Sequence, residues 1–150
     1  MSVVKPPHFL QTFHERQKCF AELLDLARTQ LESITNDDYT ALLTILGNKQ
    51  RVIGRLEEIT RTQPQLWQDW QSGRDALDPY NRSACEASLA ETEAILARLM
   101  EHEHISTEHL TRRREETQLQ LQSIASGTRT NNAYRDSLAP VTHRLLDVGQ

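Results

Sequence analysis

The sequence predicts an all-α protein: an antiparallel helical bundle or coiled coil of three main helices, with a long third helix and an extended C-terminal tail. Three observations carry this prediction. The 150 residues hold only five glycines and five prolines, too few to close strands into hairpins, while Leu, Glu, Gln, Arg and Ala dominate as helix formers. Apolar residues recur in steps of three and four, the period of one helix face. The few breaking residues gather at a small number of points, which leaves long uninterrupted stretches between them. One domain over residues 1–150 is expected, with a core of about 10–126 and a tail of about 127–150.

The first helix follows Pro6 and Pro7, which are expected to end an extended leader. Leu10, Phe13, Gln17, Phe20, Leu24, Ala27, Leu31 and Ile34 form a heptad seam. The stretch Thr35-Asn36-Asp37-Asp38 combines a stop with N-cap residues, so the helix should end near Ile34 and the next begin near Asp38. So short a connection makes the two antiparallel neighbours.

The second helix should run to Gln63, because Pro64 disfavours α geometry at the residue before it. On a helical projection Leu42, Ile45, Lys49, Val52, Leu56 and Ile59 form one flank; Tyr39, Leu43, Leu46, Gln50 and Ile53 form a second. Together they span an arc close to 200° wide, about twice what docking on one neighbour needs. This helix is therefore expected to be the central element. Lys49 lies inside the apolar arc, where its methylenes should run through the seam and its ammonium meet water or a carboxylate from a neighbouring helix. Gly47 and Gly54 sit one heptad apart at the edge of the polar face, marking either a close backbone approach or an exposed surface that tolerates glycine.

Trp67 and Trp70 lie three residues apart in a short helical stretch that Gly73, Asp78 and Pro79 terminate. From Asn81 to Ser126 no Gly or Pro occurs, so one helix of about 45 residues and roughly 67 Å is expected, against about 37 Å for each earlier helix. It must overhang its neighbours or bend. Its seam runs Cys85, Leu89, Leu96, Leu99, Leu110, Leu121 and Ile124, diluted by Thr92, Glu103, Ser106, Arg113 or Arg114, and Thr117. Beyond Gly127 the sequence reads as a loosely held polar tail with a small apolar cluster at Val141, Leu145, Leu146 and Val148.

Composition also sorts the functions. A net charge of −4 with mixed signs offers no surface built for phosphates, so nucleic acid is not an expected partner. Cys19 and Cys85, far apart within helical patterns, read as buried thiols of a reducing compartment. No signal-peptide h-region and no stretch of about 20 apolar residues is present, so a soluble cytoplasmic protein without a membrane segment is expected. Glu101-His102-Glu103-His104 and the following His109 hold an ExxH pair, Glu101 and His104, of the kind di-iron bundles use twice. Here the second copy is missing, and charge pairing on a solvated face is the reading preferred over a metal site. With no nucleophile motif, phosphate loop or dinucleotide fingerprint, neither an enzyme nor a cofactor is expected. Arg112, Arg113 and Arg114, followed at once by Glu115 and Glu116, read as self-paired helix surface.

Apolar surface remains as the source of function. Trp67 and Trp70 are either lids across the end of the core or anchors of a recognition surface. Leu110, Leu119, Leu121 and Ile124 are too sparse to stabilise an isolated helix, yet suit a seam shared with another amphipathic helix, from a partner or a second copy.

The stretch from Tyr39 to Thr60 resembles the second helix of flagellar export chaperones of the FlgN type. That family repeats a leucine pair, a further leucine, a lysine followed by glutamine, and another leucine; Leu42, Leu43, Leu46, Lys49, Gln50 and Leu56 occupy those places. Leu23 and Leu24, before a polar stretch, look like the family's first helix, and the helical order is similar over roughly residues 10–125. The resemblance implies a small cytoplasmic type III secretion chaperone that binds the helical C-terminal segment of hook–filament junction proteins and keeps them unassembled and export-competent. It implies the export apparatus as a further partner and brings no catalytic residue. The C-terminal half of the third helix plus the tail is the expected client site. The alternative is a structural or adaptor coiled coil that forms a homodimer through the long third helix.

Overall fold

The computed structural model describes residues 6–138. Four α-helices follow in order: α1 (Pro6–Thr35), α2 (Tyr39–Thr62), α3 (Leu66–Gly73) and α4 (Pro79–Leu138), with a 3-10 turn at Arg74–Ala76 between α3 and α4. Among the described residues there is no strand, as the composition predicts. The chain divides into two compact units, Met1–His109 and Leu110–Gln150, so that α4 contributes to both.

The turn between α1 and α2 uses two adjacent aspartates. Asp37 has a φ of 57°, in the left-handed region that Asp tolerates better than most residues. Its N–H donates to Ile34 O at 3.2 Å, and the N–H of Asp38 reaches back to Ser33 O at 2.8 Å. These two bonds close α1 as a Schellman motif. The Asp38 side chain then accepts from Ala41 N at 3.1 Å and caps α2. At the other end α2 stops at Thr62 with Gln63 as C-cap, where Pro64 excludes further helix.

Within the first unit, α1 and α2 are antiparallel: Thr12 Oγ1 bonds Gln63 Oε1 at 3.1 Å, Arg55 pairs with Glu22 at 2.6 Å, and Lys49 meets Gln30. Contacts to α4 run the other way, with Ser88 Oγ donating to Gln17 at 2.8 Å and Gln30 to Glu103 at 3.1 Å. The first half of α4 is therefore parallel to α1. Two apolar clusters fill the unit. Cys19, Leu23, Leu24 and Ala27 of α1 pack with Val52 of α2 and Ile95 and Leu99 of α4. Phe9 and Phe13 pack with Leu66, Trp70, Leu77 and Cys85 at the α3 end.

The central helix is α1, not α2. Phe9, Phe13, Cys19, Leu23, Leu24, Ala27 and Ile34 of α1 are all buried, whereas α2 fully buries only Leu42, Ile45 and Val52 and leaves most of its second flank outside, with Tyr39, Leu43, Leu46 and Gln50 exposed and Ile53 partly buried. The apolar width of α2 overstated its burial, and α1 concealed its own because Thr12, Gln30 and Ser33 belong to its buried arc.

Both ends of the helical scaffold also differ from expectation. Pro6 and Pro7 stand in the first turn of α1, where the missing amide hydrogen has no helical partner to lose. In the second unit α4 continues through Gly127 to Leu138, so residues 127–138 are helical. The apolar cluster expected at Val141 to Val148 lies outside the described residues.

Candidate partner-binding site

Lys49 ends where the projection places it, inside the interface. Its Nζ donates to Gln30 Oε1 at 2.7 Å and pairs with Glu103 Oε2, while Gln30 Nε2 donates to Glu103 Oε1 at 3.1 Å. One side chain from each of α1, α2 and α4 thus closes a ring of charge-assisted bonds, the stronger class of hydrogen bond. The Lys49 side chain is 12% exposed and that of Glu103 37%. Leu23, Ile53, Leu99, Met100, His104 and Thr107 line a shallow groove beside the ring. The other residues of the leucine-rich pattern have divided roles: Leu42 is buried, Leu56 half-buried, and Leu43, Leu46 and Gln50 are exposed, Leu43 at 71%.

Trp67 and Trp70 separate sharply. Trp70 is 5% exposed and meets the edges of Phe9 and Phe13, with centroids at 5.4 and 5.1 Å. It belongs to the core. Trp67 is 48% exposed; one face stacks on Phe13 at 5.6 Å, and the Arg16 guanidinium lies 4.8 Å from its ring centre. Arg16 is a site residue that reading the sequence missed, although a signal existed: it falls between Thr12 and Phe20 on the buried arc of α1. Gln30, spaced between Ala27 and Ile34, was missed for the same reason.

Among the described residues no group of three or more His, Cys, Asp or Glu is placed to hold a metal ion. His104 Nε2 faces Glu108 Oε1 at 3.7 Å on exposed surface. One turn apart on α4, His102 Nδ1 and Ser106 Oγ are buried with no protein hydrogen-bond partner among the described residues. Cys19 and Cys85 are buried free thiols whose burial pushes their pKa values up and makes them poor nucleophiles. No helix among the described residues is long and apolar enough to cross a membrane.

In the second unit, residues 110–138 of α4 expose nearly every side chain. Leu119, Leu121 and Ile124 are 66%, 60% and 66% exposed, and Leu110 is exposed too. At 100° per residue Leu110, Leu121 and Ile124 fall within about 60° of one another and form a ridge, whereas Leu119 projects to the opposite side.

Fold and surface together define an all-α protein whose first unit holds α1, α2, α3 and the first half of α4, and whose second unit exposes an apolar ridge. No family model, no curated protein and no solved structure matches the chain.

Proposed function

We propose that the protein is a cytoplasmic export chaperone of the flagellar type III kind, which binds the helical C-terminal segment of a hook–filament junction protein and holds it unassembled until export. The observation that carries this reading is the ridge of Leu110, Leu121 and Ile124, which is helical yet open to solvent. A helix this polar gains little from propensity alone and is stabilised when a second amphipathic helix covers its apolar side. Leu119 on the far side offers the client a second, weaker contact, and the half-exposed Trp67 marks a separate surface on the first unit.

A pull-down with a junction-protein C-terminal segment tests the proposal. The double variant Leu121→Asp and Ile124→Asp should lose the client while its helical circular dichroism is retained; undiminished capture by the folded variant refutes it. Sedimentation equilibrium distinguishes the adaptor alternative. A tight dimer that the same double variant dissolves identifies a second copy of the chain as the occupant of the ridge, whereas a monomer that binds the added helical segment supports the chaperone.

A further inference from the structure

Arg16 stands where a cation is costly. Its guanidinium carbon lies 4.8 Å from the centre of the Trp67 ring and 5.7 Å from that of Phe20, and burial pushes its pKa down. Arginine cannot escape that cost by losing its proton. The other partly buried cations of the first unit have carboxylate partners: Lys49 pairs with Glu103, and Arg82 with Asp75 and Glu86, whereas the cations left unpaired there, Lys18, Arg51, Arg74 and Arg98, are exposed. Arg16 takes part in no ion pair and no hydrogen bond among the described residues. Ring contacts do not satisfy the N–H donors of a guanidinium, and that planar fork of donors is suited to taking a carboxylate through two parallel bonds.

The surroundings are suited to a polypeptide. Trp67 presents about half of its surface to solvent. Phe20, the second ring beside Arg16, packs on the core while remaining partly exposed. A positive group framed by aromatic side chains has the composition of an interface hot spot, in which arginine and tryptophan are over-represented.

We propose that Arg16 and Trp67 form the anchor of a docking surface for an acidic amphipathic peptide segment of another protein, with one Asp or Glu side chain on the Arg16 fork and its apolar neighbours on Trp67 and Phe20. The carboxylate supplies the compensation that the chain withholds from Arg16, and the apolar contacts shield the pair from water. This surface lies in the first unit and is independent of the export-chaperone reading, which is tested at Leu121 and Ile124.

The test uses the full chain and a displayed library of amphipathic helical peptides. Binders selected on the wild-type protein should carry Asp or Glu at one shared position flanked by apolar residues, and should quench the exposed tryptophan fluorescence. Changing that acidic residue to Gln or Asn in the peptide should weaken binding roughly tenfold to a hundredfold, the loss of a hydrogen bond to a charged group. Arg16→Gln should weaken the acidic peptide equally and make the two peptides indistinguishable. Arg16→Lys, which keeps the charge but loses the fork, should fall between. The proposal is overturned if no binder is recovered, if binders show no acidic preference, or if the peptide's neutral variant binds the wild-type protein as tightly; this last arm does not depend on any variant folding. Concentration-dependent self-association of the wild-type chain that Arg16→Gln abolishes would assign the surface to a second copy and likewise overturn the peptide.

Discussion

Removing either end of the Lys49–Glu103 pair should cost unequal amounts. In Lys49→Met the carboxylate of Glu103 loses its cation but keeps the Gln30 Nε2 bond at 3.1 Å, and at 37% exposed it can be hydrated. The Met side chain meanwhile fills the space of the lysine stem. The expected loss is therefore about 1 kcal/mol or less, close to that of an exposed pair. In Glu103→Met the ammonium of Lys49, at 12% exposed, keeps only the Gln30 oxygen at 2.7 Å. That approaches the stranding of one buried charge, for which 3–5 kcal/mol is typical; residual solvent access lowers the expectation to about 2–3 kcal/mol. The double variant Lys49→Met with Glu103→Met strands neither charge and should recover most of the loss. Urea unfolding followed by tryptophan emission measures all three, because Trp67 and Trp70 both report on the first unit. Equal losses from the single variants, a larger loss from Lys49→Met, or a double variant no better than Glu103→Met would refute the reasoning.

Other consequences can be measured in the same way. A Cβ built at Gly47 or Gly54 meets nothing within 4 Å, so Gly47→Ala and Gly54→Ala should each raise stability by about 0.5–1 kcal/mol; a lower urea midpoint would reveal a contact at that edge. Trp70→Ala should cost about 3–5 kcal/mol as a core deletion, and Trp67→Ala, whose side chain is half solvated, clearly less. Asp78 is held below the ordinary carboxylate pKa by the Asn81 side-chain amide at 2.6 Å and the Asn81 backbone N–H at 3.2 Å. Because the folded value is the depressed one, its stabilisation is present at neutral pH and is lost as pH falls through that folded value. Asp78→Asn should accordingly flatten the acid limb of the curve of urea midpoint against pH, and an unchanged limb would assign the acid sensitivity elsewhere.

Signals confined to a few neighbouring residues were legible in the sequence. Asp38 announced the start of α2 and Pro64 its end, because capping and proline geometry act within one turn; Asp78 and Pro79 were read only as the end of the Trp67–Trp70 stretch, although α4 begins at Pro79. What required the whole molecule was less readable. The two flanks of α2 pointed to a central helix, yet burial depends on what lies opposite, and α1 takes that place with Thr12, Gln30 and Ser33 among its buried residues. Trp67 and Trp70 were indistinguishable by spacing; both touch Phe13, and Trp70 also packs on Phe9 within the buried cluster. Gly127 and the polar residues after it weaken a helix without forbidding one, so α4 outlasts its expected end. Lys49 was legible because an isolated cation within an apolar arc needs a partner, but Gln30, the third member of its ring, carried no charge to betray it. Arg16 went unread for the opposite reason, since an arginine among glutamates and lysines looks like surface.

The back-to-back aspartates between α1 and α2 have a consequence for how the molecule assembles. Asp37 and Asp38 join two helices that are consecutive in the chain, so this hairpin closes over a loop of a few residues, whereas the Gln17–Ser88 and Gln30–Glu103 contacts span 71 and 73 residues. Loop closure favours the short connection. Lys49 and Gln30 can meet within this hairpin alone, whereas Glu103 belongs to α4. The ring therefore closes only when α4 docks in the register that sets Glu103 against Lys49, so this polar contact ties the long-range docking of α4 to the local hairpin.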